Sequence, residues 1–295
     1  MGASETKLLR LRGAAYLKAE IVKLPFVYTY NSAAWCPQPT LLCLLEKAIR
    51  YSMKILITGV CCDVGLHLSK HLIDQGHAVV GFDIRRSDDL PASIVFEEGD
   101  VRDLSSLKRV ARGCNTGIHL AIQAGNDNDL MDVNVSGAYG FVVAARENGF
   151  RNAVLASSAP VHLDGTDNRI LLRTSESDDH AYDLSKVLQE IVFRDFHAHG
   201  SPAMCLRFGH IVRGKKSVNL SNPIPLTDFD YCRGGWVALE DVVIACAKAL
   251  VTSPDREAFE IFNVIGARTA REKFNVEIVE QRLGFKFKYD FAEYE

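Results

Sequence analysis

A chain of 295 residues with 47% hydrophobic and 24% charged residues has the composition of a soluble globular protein with apolar material for one large core or two modest ones. Its net charge of -3, from 34 Lys and Arg against 37 Asp and Glu, provides no broad basic field and argues against nucleic acid as a partner. The eight cysteines (Cys36, Cys43, Cys61, Cys62, Cys114, Cys205, Cys232 and Cys246) form no CxxC pair and no metal-ligand spacing. Reduced, mostly buried thiols in a cytoplasmic protein are therefore expected, with no disulfide framework and no structural zinc.

Residues 1–52 carry seven Lys or Arg against three Glu and a broken apolar stretch, LPFVYTYNSAAWCPQPTLLCLL. Its prolines and polar residues deny it the roughly 20 uninterrupted apolar residues of a membrane span, so no membrane partner is expected. MGASET matches an N-terminal acylation pattern only loosely, and a transit peptide is a further option. The simplest expectation is an appended leader or mis-called start, with a helix near Leu41 to Arg50 and the domain proper beginning at Met53.

From Met53 short apolar runs alternate with amphipathic ones. Strands are expected at 54–58 (KILIT), 78–83 (AVVGFD), 94–98 (IVFEE), 117–121 (GIHLA), 152–157 (NAVLAS) and 203–208 (AMCLRF). The first intervening helix places Val64, Leu68 and Leu72 on one face. Strands separated by helices of this length imply right-handed crossovers and a parallel, doubly wound α/β sheet, and nearly all-apolar strands imply burial on both faces. The sheet is expected within 53–295, with a small C-terminal substrate-binding lobe formed mainly by about 209–240 and 265–295.

The turn TGVCCDVG, residues 58–65, has the features of a dinucleotide turn: Gly59 for the sharp bend, Gly65 for close helix packing, and a helix N-terminus at Cys62, Asp63 and Val64 for the pyrophosphate. Cys62 stands where a middle glycine would admit the phosphates, so weakened or displaced contact is expected rather than loss. Asp83 ends the second strand, where a carboxylate would bond the adenosine ribose and favour NAD. Arg85 and Arg86 follow it and leave NADP open. GDVRD at 99–103 offers an aspartate for adenine or, more plainly, a helix cap. Tyr182 and Lys186, four apart on an expected helix, project from one face. A free tyrosine titrates near ~10, and a neighbouring ammonium would lower that value toward use as a base.

In their order these segments resemble the extended short-chain dehydrogenase/reductases, the NAD-dependent epimerase/dehydratase group: TGVCCDVG, Asp83, GDVRD, HLA at 119–121, NVSG at 134–137, LASSAPV at 155–161, YDLSK at 182–186 and LRFGHIVRG at 206–214. The resemblance spans roughly Met53 to Tyr294 and implies a Rossmann fold that binds NAD. It further implies that Ser158 hydrogen-bonds the reacting hydroxyl, that Tyr182 moves its proton, and that Lys186 binds the nicotinamide ribose. Asp100 and Val101 would meet adenine, Leu120, Ala121 and Ile122 would line the cofactor, and Asn134 would support the site from behind. The implied activity is hydride transfer to or from a secondary alcohol of a sugar or nucleotide sugar, in an epimerase or a dehydrogenase. A non-catalytic NAD(P) sensor or scaffold on the same fold is the rival class.

Departures from the family pattern narrow the chemistry. Ser158 is followed by Ala159 and Pro160 in place of the Asp-Glu pair of dehydratases, so dehydration is not expected. His162 and His210 replace a tyrosine and an asparagine usual in the family, and His210 becomes a candidate substrate contact, with a packed core histidine as the plainer reading. Only 113 residues follow Tyr182, which favours a small substrate and a compact, uronate-type dehydrogenase as the alternative; WVALED at 236–241 is similar to a segment of those enzymes. Arg207, Arg213 and Arg233 are candidates to grip a carboxylate or phosphate, beside the plainer reading of solvated surface charges. Trp236 is expected as a core anchor, and Gly284 as the stop of a C-terminal helix. The segments 130–148 and 179–199 would suit either a homodimer interface or a monomer core.

Overall fold

The computed structural model describes residues 52–123, 129–159, 180–213, 216–217, 235–268, 271 and 274–292, all within one unit of the chain, residues 48–295. The expected helix near Leu41 to Arg50, His162 and Arg233 lie outside the described residues. In chain order the elements are β1 (Lys54–Thr58), α1 (Asp63–Asp74), β2 (Ala78–Asp83), β3 (Val95–Glu98), α2 (Leu104–Val110) and β4 (Thr116–His119). A π-helical turn (Asp132–Ser136) then runs into α3 (Gly137–Glu147), followed by β5 (Ala153–Ser158), α4 (His180–Ala198), β6 (Ala203–Phe208), β7 (His210–Arg213) and β8 (Lys216–Ser217). The last are β9 (Trp236–Ala238), α5 (Leu239–Val251), β10 (Glu260–Val264) and α6 (Val276–Leu283).

Seven strands form one parallel sheet in the order β10-β6-β5-β4-β1-β2-β3. From β1 the chain steps outward to β2 and β3; from β4 it steps the opposite way through β5 and β6 to β10. The order therefore reverses between β1 and β4, and a crevice opens outside the carboxyl ends of those two strands. This is the Rossmann-like α/β architecture expected from the alternation of strands and helices.

Strand alternation feeds two cores. Ile55 and Ile57 of β1 join Val64, Leu68 and Leu72 of α1 and Val242 and Cys246 of α5 on one face. Leu56 joins Leu107 of α2, Phe141 of α3 and Phe193 and Phe196 of α4 on the other. Burying a leucine such as Leu68 contributes roughly 1.5–3 kcal/mol relative to leaving it exposed. The expected strand ends shift by a residue or two. β4 ends at His119, although Leu120 still donates its backbone N–H to the Thr58 carbonyl at 3.0 Å and the backbone of Ala121 passes directly against Gly59.

A smaller sheet, β8-β7-β9, pairs His210 with Trp236 and Ile211 with Val237. Trp236 is 2% exposed and meets Phe291 edge-on at 6.1 Å, so it anchors a core with Val212, Ala238, Ile265 and Phe274. Helix α6 stops at Gly284, in a left-handed conformation. The carboxylate of Asp241, buried in α5, accepts the backbone N–H groups of Lys288 and Tyr289 and ties the chain beyond α6 to the fold. Among the described residues no helix is long and apolar enough to cross a membrane.

Candidate active site

The turn from β1 into α1 is shaped by two close approaches. Gly59 has φ +72°, and a Cβ there would lie 2.5 Å from the amide nitrogen of Ala121. A Cβ on Gly65 would lie 2.5 Å from the carbonyl oxygen of Val60. Both glycines are therefore demanded by space, the first also by conformation. Cys62 is different: at φ -75° and ψ 163° it is an ordinary extended N-cap that any residue can adopt, so the backbone itself needs no glycine there. Its Sγ accepts the Gly65 N–H at 3.3 Å. Although Cys62 is exposed as a residue, desolvation where its sulfur tucks against the helix start pushes the thiol up to about 11. The sulfur thus occupies one of the amide donors that a phosphate at this helix end would use.

Beside this turn a cleft of about 640 Å³ runs over the carboxyl ends of β1, β2 and β4. Of the residues expected to meet a cofactor, Gly59, Cys62, Asp83, Arg85, Asp100, Val101, Leu120, Ala121 and Ile122 line it. Asp83 is held in place by two backbone donors, with Oδ2 accepting the Cys61 N–H at 2.9 Å and Oδ1 the Ile84 N–H at 2.8 Å. Arg86 turns away and lies over the Phe96 ring at 5.3 Å, leaving Arg85 on the cleft. Asp100 is already engaged: Arg102 donates to it from its backbone N–H, Nε and Nη2, and the hydrogen bonds from the Arg102 side chain hold the Asp100 carboxyl below the ordinary range. Arg102 also meets Asp129 at 3.2 Å across the cleft wall.

Three expected cofactor residues are placed less directly. The Val64 side chain is buried in the core, Gly65 serves the packing of α1, and Asp63 pairs with Arg213 at 3.0 Å.

The second half of the site is built on β5 and α4. Ser158 ends β5 and is half-buried. On α4, Lys186 is 5% exposed and donates from Nζ to the carbonyl of Ala156 at 2.7 Å, two residues before Ser158. Its Nζ lies 6.0 Å from the centre of the Tyr182 ring. Burial pulls the Lys186 ammonium down to about 8. Nearby, His119 of β4 meets the hydroxyl of Thr58 through Nδ1 at 2.8 Å, and burial pushes its imidazole down to about 3, so it is neutral.

Asn134 is fully buried at the centre of the π-helical turn. Its Oδ1 accepts the Gln123 N–H at 2.7 Å, and its Nδ2 donates to the Gln123 carbonyl and to Ser185 Oγ at 3.0 and 2.9 Å. One side chain thereby joins the cleft wall at Gln123 to the helix that carries Tyr182 and Lys186. A π-helical turn is a frequent companion of functional sites, and nothing in the periodicity of NVSG announces one.

One expectation about charged side chains changes. Arg207, considered for gripping a substrate anion or as a solvated surface charge, is neither: it is fully buried and paired with Glu190 of α4 at 2.8 Å. Its strand position explains this, since it points from β6 onto the face covered by α4. Arg213 is half exposed and reaches Asp63. His210 is half-buried on β7, its backbone N–H bonded to the Gly235 carbonyl, and burial lowers its pKa. Arg102, Asp129, Gln123 and Thr58 were not singled out from the sequence. Arg102 lay inside the quoted GDVRD, but only the fold brings it to the cleft wall.

A Rossmann-like sheet with a crevice at its strand-order reversal and a glycine turn facing it has the architecture of a dinucleotide-binding protein. The family model described as the NAD dependent epimerase/dehydratase family matches residues 55–219, and the chain belongs to this family. NAD is the family's cofactor, and the residues present fit it: Gly59 keeps the turn open against Ala121, Asp83 is fixed on the cleft, and the cleft volume is in the range of small-molecule sites. The chain is 23% identical to Protein CapI of Staphylococcus aureus, over 82% of this chain and 86% of that protein. It is similar in fold to MoeE5 in complex with UDP-glucose and NAD, with a TM-score of 0.62 and 20% identity over 81% of this chain and 95% of that one. A mutated uronate dehydrogenase gives a TM-score of 0.62 and 23% identity, over 81% of this chain and 82% of the other.

Proposed function

We propose that the protein transfers a hydride between NAD and a secondary alcohol of a sugar or nucleotide sugar. The observation that carries this reading is the docking of Lys186 onto the Ala156 carbonyl, which brings the helix of Tyr182 and Lys186 to the end of β5 where Ser158 sits. NAD, when bound, supplies the hydride acceptor or donor at its nicotinamide ring. The β1–α1 turn at Gly59 and Cys62 and the first residues of α1, Asp63, Val64 and Gly65, would hold its pyrophosphate. Asp83 and Arg85 would face the adenosine ribose, Asp100 and Val101 the adenine, and Leu120 to Ile122 its flank.

In this reading Ser158 donates a hydrogen bond to the reacting oxygen and fixes the substrate hydroxyl. Tyr182 takes or returns the hydroxyl proton. The Lys186 ammonium favours the phenolate of Tyr182 by its charge and holds the nicotinamide ribose. His210, Arg233 and the C-terminal segments around the small sheet would supply substrate contacts.

Two reactions fit this reading: epimerisation and, as the alternative, net oxidation of a uronate-type sugar acid with reduction of NAD. Incubation with NAD and a panel of uronic acids, aldoses and nucleotide sugars separates the two, because a dehydrogenase accumulates NADH absorbance and an epimerase does not. Tyr182→Phe is expected to abolish turnover on the active panel member while leaving NAD affinity within about twofold. Unchanged turnover in that variant would refute the proton-transfer role. A wild-type protein that binds NAD and turns over no panel member would favour a cofactor sensor.

A further inference from the structure

We propose that the buried ion pair Glu190–Arg207, together with Ser157, is a positioning device that sets the register of α4 against β5 and β6 and so places Lys186 and Tyr182 on the nicotinamide side of the site. The inference rests on the cofactor and catalytic reading above and goes beyond it in assigning residues that touch neither substrate nor cofactor.

Both partners are 0% exposed. Arg207 donates from Nε to Glu190 Oε1 at 2.9 Å and from Nη2 to Oε2 at 2.8 Å, a two-pronged pairing. Ser157 donates from Oγ to the same Oε1 at 2.6 Å, and the Cys205 thiol reaches it at 3.6 Å. One carboxylate therefore ties three elements: α4 through its own backbone, the carboxyl end of β5 through Ser157, and β6 through Arg207. Ser157 is the residue before Ser158.

Stability alone is a poor reason for such a pair. Taking two charges out of water costs several kcal/mol per ion, and an apolar pair of equal volume is often as stable or more so. What the ions provide is direction. Tyr182, Lys186 and Glu190 are spaced four apart, so they form one stripe along α4. Moving the helix by one residue turns that stripe by about 100° and shifts it by 1.5 Å, which would break each of these hydrogen bonds along with the Lys186 contact to Ala156. Apolar side chains at 190 and 207 would tolerate such a slip, because dispersion contacts have no preferred direction.

The test uses the full chain and two probes, NAD and ADP, the second of which lacks the nicotinamide half that α4 faces. Single replacements leave a lone buried charge and are expected to fold poorly. The informative variant is Glu190→Met with Arg207→Met, whose melting temperature is expected to match or exceed that of the wild type. Its NAD affinity is expected to fall roughly tenfold or more while its ADP affinity stays within about twofold, a split that loss of general stability does not produce. Ser157→Ala, which keeps the ion pair, should show the same split at roughly two- to threefold. A folded double variant that binds NAD as tightly as the wild type refutes the positioning role and leaves the cofactor reading intact. A double variant that does not fold makes the pair an obligatory part of the fold and also overturns it. A wild type that binds neither probe removes the cofactor reading and this inference together.

Discussion

Replacing Lys186 with methionine isolates the cost of burying an ammonium beside the candidate site. Burial draws this group from the ordinary 10.5 down to about 8. Below pH 8 the lysine is charged in both the folded and unfolded chain, and the folded state bears the whole desolvation cost. Between pH 8 and 10.5 the unfolded chain still holds the proton that the folded chain has released, so stability rises with pH in that window. At 1.36 kcal/mol per unit the rise is about 3 kcal/mol. Methionine of similar length carries no such charge, and its loss of the Nζ contact to Ala156 costs about 1 kcal/mol at every pH. The variant should therefore be more stable than the wild type by about 2 kcal/mol at pH 7, and the wild type should overtake it toward pH 10.5. Urea unfolding of both proteins at pH 7, 8, 9 and 10 reads the difference directly, since groups common to both cancel. A difference that stays constant within about 0.5 kcal/mol across this range would refute the claim that burial governs Lys186.

Three further outcomes follow from the cleft. Cys62→Gly frees the Gly65 N–H from the sulfur, so NAD affinity measured by titration calorimetry should tighten roughly three- to tenfold, while loss of the cap costs only a few tenths of a kcal/mol; unaltered or weaker affinity would count against a thiol that competes with phosphate. Asp83→Asn removes the charge that faces the adenosine ribose beside Arg85, and the ratio of NAD to NADP affinity should move at least about tenfold toward NADP. An unmoved ratio would show that Asp83 does not select the cofactor. Asn134→Ala removes a fully buried amide that accepts the Gln123 N–H and donates to the Gln123 carbonyl and to Ser185 Oγ, an expected loss of about 3 kcal/mol in urea unfolding; a loss below about 1 kcal/mol would mean that water replaces the amide.

Much of this molecule is written in short-range pattern. Apolar runs of four to six residues separated by amphipathic helices determine a parallel sheet, because only burial on both faces suits such strands. The glycines at 59 and 65, Asp83 at a strand end and the Tyr182–Lys186 spacing are local signals whose chemistry follows from residue type and position. Each lies where those patterns predict it, on the β1–α1 turn, at the end of β2 and on α4. Tertiary structure decided what distant side chains do to one another. Arg207 reads as a surface or ligand-binding charge until β6 turns it onto Glu190, which no neighbouring residue announces. Asn134 becomes a joint between Gln123 and Ser185 only because a π-helical turn sits beside α4. Cys62 is tolerated in place of glycine because its own backbone is extended, a fact of torsion angles that residue type does not encode. For the first two the physical reason is the same, whereas the third is a matter of local backbone torsion. Hydrophobic periodicity acts between residues a few positions apart, whereas ion pairs, caps and close backbone approaches depend on where the sheet brings chain segments separated by tens of residues.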